Sequence, residues 1–141
     1  MSNQLIVKAE IEINASLDKV WDVLTQTKYY RQWDELPENF TNERLSKGDV
    51  LEWEGHAKMT VVQCEANRYL KMSLFLPKLE LDLSEYDITY SYSLSNENAK
   101  TILSFEIGDF SPLPDAVNYY EETIKFVKTA KEKIKGLSEN N

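Results

Sequence analysis

The sequence predicts an α+β fold in which helices cover one side of a curved antiparallel sheet of about seven strands. Three observations carry this. Of the 141 residues, those between 5 and 107 fall repeatedly into short strand-like segments, most with apolar residues at every second position. Two brief helical patterns interrupt those segments early in the chain. One long pattern of helical period closes it, from Asp115 to about Gly136, and its stripe of Val117, Tyr120, Ile124, Val127 and Ile134 requires a surface to cover it. Pro114 stands as a first-turn proline and Gly136 as a C-terminal stop. Glu121 and Glu122 fall in the first half and Lys125, Lys128, Lys131, Lys133 and Lys135 in the second, which suits the helix dipole.

The first strand is predicted over 5–13, where Leu5, Val7, Ala9, Ile11 and Ile13 alternate with Lys8, Glu10 and Glu12. Ser16 offers an N-cap for a helix carrying Leu17, Val20, Trp21 and Leu24. Thr27 caps a second helical turn bearing Tyr29, Tyr30 and Trp33, which ends before Asp34-Glu35-Leu36-Pro37-Glu38. Strands at 41–45 and 50–54 flank the turn Ser46-Lys47-Gly48-Asp49, and strands at 57–65 and 69–76 flank Ala66-Asn67-Arg68. Residues 77–85 alternate as well and read either as a loop or as an extension of the strand before them. Tyr86, Ile88, Tyr90, Tyr92 and Leu94 then share a face, 95–98 form a turn, and Thr101, Leu103, Phe105 and Ile107 line the last strand. Nothing in composition or punctuation divides residues 1–141, so one domain is expected.

Charge and inventory narrow the function. A net charge of −8 argues against nucleic acid and against an anionic membrane surface, both of which are bound through clustered Lys and Arg. The lone Cys64 makes no internal disulfide, the N-terminal residues carry no signal pattern, and no apolar run is long enough to span a bilayer, so a cytoplasmic protein is expected, a monomer or weak dimer. The single histidine, His56, has no His or Cys near it in sequence, so no metal site and no cofactor is predicted. Without a nucleophile elbow or an evident acid/base pair, no catalytic residue is assigned. The acidic loop at Asp34, Glu35 and Glu38 reads as solvated surface.

The segment VKAEIEINASLDKVWDVLTQTKYYRQW, with Ala15 to Val20, Trp21 and Trp33 as its packing residues, and the turn region Glu65-Ala66-Asn67-Arg68-Tyr69-Leu70 carry a resemblance. In element order across nearly the whole chain, the sequence resembles the START-like, or SRPBCC, superfamily with its helix-grip fold. Within it, the sequence is most similar to the bacterial group named for the activator of Hsp90 ATPase. The resemblance implies a sheet gripping the long helix, with a cavity between them for an apolar or aromatic small molecule. Trp33, Trp53, Tyr90, Phe105 and Tyr120 are the candidate lining residues, and His56 a candidate ligand contact if it faces inward. For each aromatic taken singly, plain core packing is the more frequent role. Ligand binding without catalysis is the leading expectation. The alternatives are an Hsp90-activator-like cochaperone, with a chaperone as partner, and a polyketide cyclase-like enzyme.

Overall fold

The computed structural model describes residues 4–77 and 86–140. Strand β1 (Val7–Ile13) leads into helices α1 (Leu17–Thr25) and α2 (Thr27–Trp33). Strands β2 (Val50–Trp53), β3 (Ala57–Glu65), β4 (Tyr69–Phe75), β5 (Ile88–Glu97) and β6 (Lys100–Gly108) follow, and helix α3 (Ala116–Glu139) closes the chain. The strands form one antiparallel sheet in the order β1-β6-β5-β4-β3-β2, so β1 and β2 are its edges. Helix α3 lies against β1 and β6 on one side and against α1 and α2 on another.

One face of the sheet is dry because the registers align apolar positions. Ala9 pairs with Phe105, Phe105 with Tyr92, and Tyr92 with Leu70. Ile13, Leu70, Tyr92, Leu103 and Phe105 are all buried there against α1, α2 and α3. The opposite face carries Lys8, Glu10, Ser91, Ser93, Ser104 and Glu106. Val61 pairs with Met72 but Gln63 pairs with Lys71, leaving Val62 as the extra residue of a β-bulge. This explains the broken alternation at Val61-Val62, and it returns Cys64 to the inner face opposite Leu70, with its thiol 3.9 Å from the Leu45 carbonyl.

Several boundaries differ from the sequence expectation, each for a local reason. The sheet has six strands among the described residues, not seven, because 41–45 is not a strand. That segment is fastened to the helical elbow instead. Thr27 N–H donates to Glu43 O (2.9 Å) and Leu45 N–H to Thr25 O (2.8 Å), while the Arg44 guanidinium binds Thr25 Oγ1 and Asp22 Oδ1, each at 2.6 Å. Ser46 to Asp49 is therefore a turn entering β2 rather than the loop of a hairpin. Ser16 does cap α1, accepting from Lys19 N–H. Thr27 does not cap α2; it is the first helical residue, and its hydroxyl donates to the Asn42 and Glu43 carbonyls. The β5–β6 turn lies at Asn98-Ala99, both at positive φ, because Asn96 and Glu97 remain paired with Thr101 and Lys100. The reading of 77–85 falls mainly on 78–85, outside the described residues.

The long helix is placed as expected but rotated and shifted. Its buried residues are Thr123, Val127, Ala130, Ile134 and Ser138, whereas Val117 and Ile124 are 60% and 42% exposed. Two of the five predicted stripe residues thus face outward. Pro114 precedes the helix rather than occupying its first turn, since Asp115 is left-handed (φ 63°) at the N-cap. The start is fixed by Phe110 and Leu113, both buried, with Phe110 stacked on Tyr119 at 6.3 Å. Gly136 does not end the helix. Beyond it Ser138 is buried with its hydroxyl on the Ile134 carbonyl, and Glu139 accepts from Asn14 N–H (2.8 Å), so packing and a cap on β1's exit outweigh the cost of about 1 kcal/mol for a mid-helix glycine.

Candidate functional site

The end of α2 brings a carboxylate to the aromatic interior. Trp33 is held by its indole N–H, which donates to the Val23 carbonyl of α1 at 2.8 Å. Its ring lies 4.3 Å from Tyr30 and meets Tyr92 of β5 edge-on at 6.0 Å. Tyr92 in turn meets Phe105 of β6 edge-on at 5.4 Å. Trp33, Tyr92, Tyr30 and Phe105 are all buried. One position earlier on β5's inner face, Tyr90 packs edge-on against Phe126 of α3 at 6.3 Å.

Asp34, the residue directly after Trp33, is half-buried at the rim of this cluster. Its Oδ2 accepts from the Tyr30 hydroxyl (3.1 Å) and its Oδ1 from the Glu35 N–H (2.8 Å). Removal from water raises its pKa from the ordinary 3.8 to about 6; the Glu35 N–H and Tyr30 hydroxyl offset part of that cost, Glu35's charge adds to it, and Lys133 on α3 reduces it. Burial likewise pushes Tyr30 and Tyr92 well above the usual phenol range, with the Asp34 carboxylate adding to both. Tyr90 is pushed up to about 12 by burial and by Asp34, with the Thr123 hydroxyl acting the other way. All three phenols therefore stay protonated and serve as hydrogen-bond donors at neutral pH.

One donor is unspent. Tyr92 Oη is fully buried and has no hydrogen-bond partner among the described residues. An orphaned buried hydroxyl costs about 1–3 kcal/mol. A depression of about 360 Å³ opens beside the cluster, lined by Arg31, Asp34, Leu36, Pro37 and Trp53 among others. The arrangement sets an open depression, charged through Arg31, Asp34, Glu35 and Glu38 and apolar at Leu36, Pro37 and Trp53, beside a carboxylate of raised pKa that accepts from the buried Tyr30 hydroxyl.

The structure thus groups Trp33 and Phe105 around Tyr92, sets Tyr90 against Phe126, and places Trp53 with Asp34 on the depression. Tyr120 lies elsewhere, in a groove with Val7 and Ala9, and His56 is exposed in the tight β2–β3 turn, where its N–H binds the Trp53 carbonyl at 2.8 Å. Sequence reasoning passed over Asp34 as solvated loop. The available signal was its position, one residue after an apolar helical stripe of Tyr30 and Trp33. No group of three His, Cys, Asp or Glu side chains among the described residues is arranged to hold a metal ion, and no helix there is long and apolar enough to cross a membrane.

No protein-family model matches the chain, and no curated protein matches it by sequence. Solved structures do match. A Mesorhizobium loti protein is 20% identical with a TM-score of 0.73, over 94% of this chain and 95% of that one. The Aha1 dimer from Colwellia psychrerythraea is 15% identical with a TM-score of 0.67, over 92% and 96%. CalU16 from Micromonospora echinospora is 18% identical with a TM-score of 0.69, over 95% of this chain and 65% of its own. The fold is accordingly that of the START-like helix-grip proteins, as the sequence resemblance implied.

Proposed function

We propose that this chain binds a small apolar or aromatic molecule carrying a hydrogen-bonding group, entering beside Trp53 and anchored by Asp34 and the β5 tyrosines. The observation that carries the proposal is the Tyr92 hydroxyl, buried without a partner among the described residues and within the electrostatic reach of Asp34. A polar ligand atom would satisfy that donor, while Trp53 and Leu36 supply apolar contact. No catalytic role is assigned to any residue.

Native mass spectrometry of the purified chain is the direct test, followed by tryptophan fluorescence titration with any molecule it carries. Tyr92→Phe should weaken binding by roughly tenfold, as expected for loss of one buried hydrogen bond. It should leave stability unchanged or raised by up to about 1 kcal/mol, because the orphaned hydroxyl is gone. Trp53→Leu should weaken binding more than it lowers the melting temperature, since Trp53 is only half-buried. Equal binding by wild type and both variants would overturn the proposal.

A protein-interaction role is the second reading. The exposed Val117 and Ile124 favour it, as does the likeness to a structure determined as an Aha1 dimer.

A further inference from the structure

The apolar residues that α3 leaves outside the core converge on a sheet edge. A groove of about 370 Å³ runs between β1 and α3, floored by Val7, Ala9, Tyr120, Ile124 and Val127. Lys8, Lys128 and Lys131 rim it. Among the described residues none of these three lysines makes an ion pair, although other lysines of the chain do. From α3, Lys128 and Lys131 thus border the apolar groove without an ion pair among the described residues, on a chain whose net charge is −8, while Lys8 points to the outer face opposite Glu106.

The groove is also bordered by unpaired backbone. Among the described residues strand β1 is an edge and pairs only with β6. Lys135 Nζ donates to the Glu12 carbonyl at 3.3 Å, so that carbonyl points away from β6. In an antiparallel pair the residues that exchange bonds with the partner alternate with those that do not, so Glu10 and Lys8 turn their N–H and C=O groups to the same free side as Glu12. Natural edges are usually protected against strand addition, and Lys8 and the adjacent helix do that only in part.

We infer that the β1 edge and the outer face of α3 together form a docking groove for an extended acidic peptide segment of a partner protein, added as a strand beside β1. Backbone hydrogen bonds to Lys8 and Glu10 would supply register. Apolar side chains of the segment would cover Tyr120 and Ile124, and its carboxylates would meet Lys128 and Lys131. The free strand edge favours a peptide over an anionic amphiphile, which would use the floor and the lysines but leave the backbone donors unpaired. This site is separate from the Asp34 cluster and does not depend on it.

The test uses the full chain, labelled with nitrogen-15, and an acetylated, amidated heptapeptide of alternating valine and glutamate. Addition of the peptide at low salt should shift the Lys8 and Glu10 amides and slow their hydrogen exchange. The variant Lys128→Glu/Lys131→Glu, with both changes at helix positions outside the core, should bind roughly tenfold more weakly or worse. A valine–glutamine heptapeptide should bind far less. The inference is overturned if the Lys8 and Glu10 amides gain no protection, if the glutamine peptide binds as well, or if only dodecanoate, an anionic amphiphile, occupies the groove.

Discussion

Replacing Asp34 by asparagine removes an ionisable group from the place where burial costs it most. The folded chain holds the Asp34 pKa at about 6 against an ordinary 3.8. Between about pH 4 and pH 6 the folded state therefore keeps a proton that the unfolded state has released, and stability falls as pH rises across that window. Above about pH 6 the cost is fully in place. At ~1.36 kcal/mol per pKa unit it amounts to about 3 kcal/mol. Asparagine preserves the shape but weakens the charge-assisted bonds from Tyr30 and Glu35, which returns about 1–2 kcal/mol of the gain. Asp34→Asn should thus be more stable than wild type by about 1–2 kcal/mol at pH 7.5, which for a domain of this size is about 3–8 °C in melting temperature. Near pH 4 the advantage should vanish, since Asp34 is then protonated in the folded chain. Thermal and urea denaturation of both proteins between pH 4 and pH 7.5 measures the difference directly. The three neighbouring tyrosines, held above the usual phenol range by burial, do not contribute in this range. An Asp34→Asn protein that is less stable at pH 7.5, by an amount independent of pH, would refute the reasoning.

Helix α3 offers a paired test of its orientation. Ile134→Ala, at a fully buried position, should cost about 2–5 kcal/mol in urea denaturation, whereas Ile124→Ala should stay within about 0.5 kcal/mol. Gly108→Ala should cost about 2–3 kcal/mol, because a Cβ there would sit 2.8 Å from the Leu5 carbonyl oxygen and φ is +147°; failure of the melting temperature to fall would show that the N-terminal segment can move aside. Ala99→Gly should stabilise by about 0.5–1 kcal/mol, since Ala99 sits at φ 65° in the two-residue β5–β6 turn, and a differential scanning measurement reads it.

Much of the architecture was legible because period two and period 3.6 are imposed by the backbone and survive without knowledge of partners. β1, β4 and β6 alternate cleanly, and Ser16 caps α1 where its side chain chemistry says it should. The failures occur where two patterns compete. On α3 the predicted stripe ran through Val117, Tyr120 and Ile124 to Val127 and Ile134, whereas the buried row runs through Thr123, Val127, Ala130 and Ile134, so the two share only Val127 and Ile134. The second includes threonine and alanine, small enough to let the helix approach its neighbours, while the first is bulkier and looks more like core. Periodicity weighs hydrophobicity and is blind to fit. The same blindness hid the fate of 41–45, whose backbone has its partners in the elbow, at Thr25 and Thr27, rather than in the sheet.

The candidate site was legible in its aromatics and illegible in its carboxylate, and the difference is physical. An indole or phenol buries a large area wherever it can, so Trp33, Tyr90 and Phe105 announce an interior from sequence alone. A carboxylate gives no such signal, because its environment is decided by what the fold places around it. Asp34 follows Trp33, and Trp33 is pinned by its hydrogen bond to Val23 and by its contacts with Tyr30 and Tyr92. Once the indole is inside, the next residue has only one covalent step in which to reach water, and its side chain remains against Tyr30. Its raised pKa is thus a consequence of the packing of its neighbour. It follows that substitutions at Trp33 and Asp34 should be energetically coupled: in Trp33→Leu, where the chain can relax outward, the stabilisation from Asp34→Asn at pH 7.5 should shrink by about half or more, in the range of coupling found between contacting residues. A double-mutant cycle by urea denaturation measures the coupling, and strict additivity would mean that Asp34 is held in place by something other than the indole.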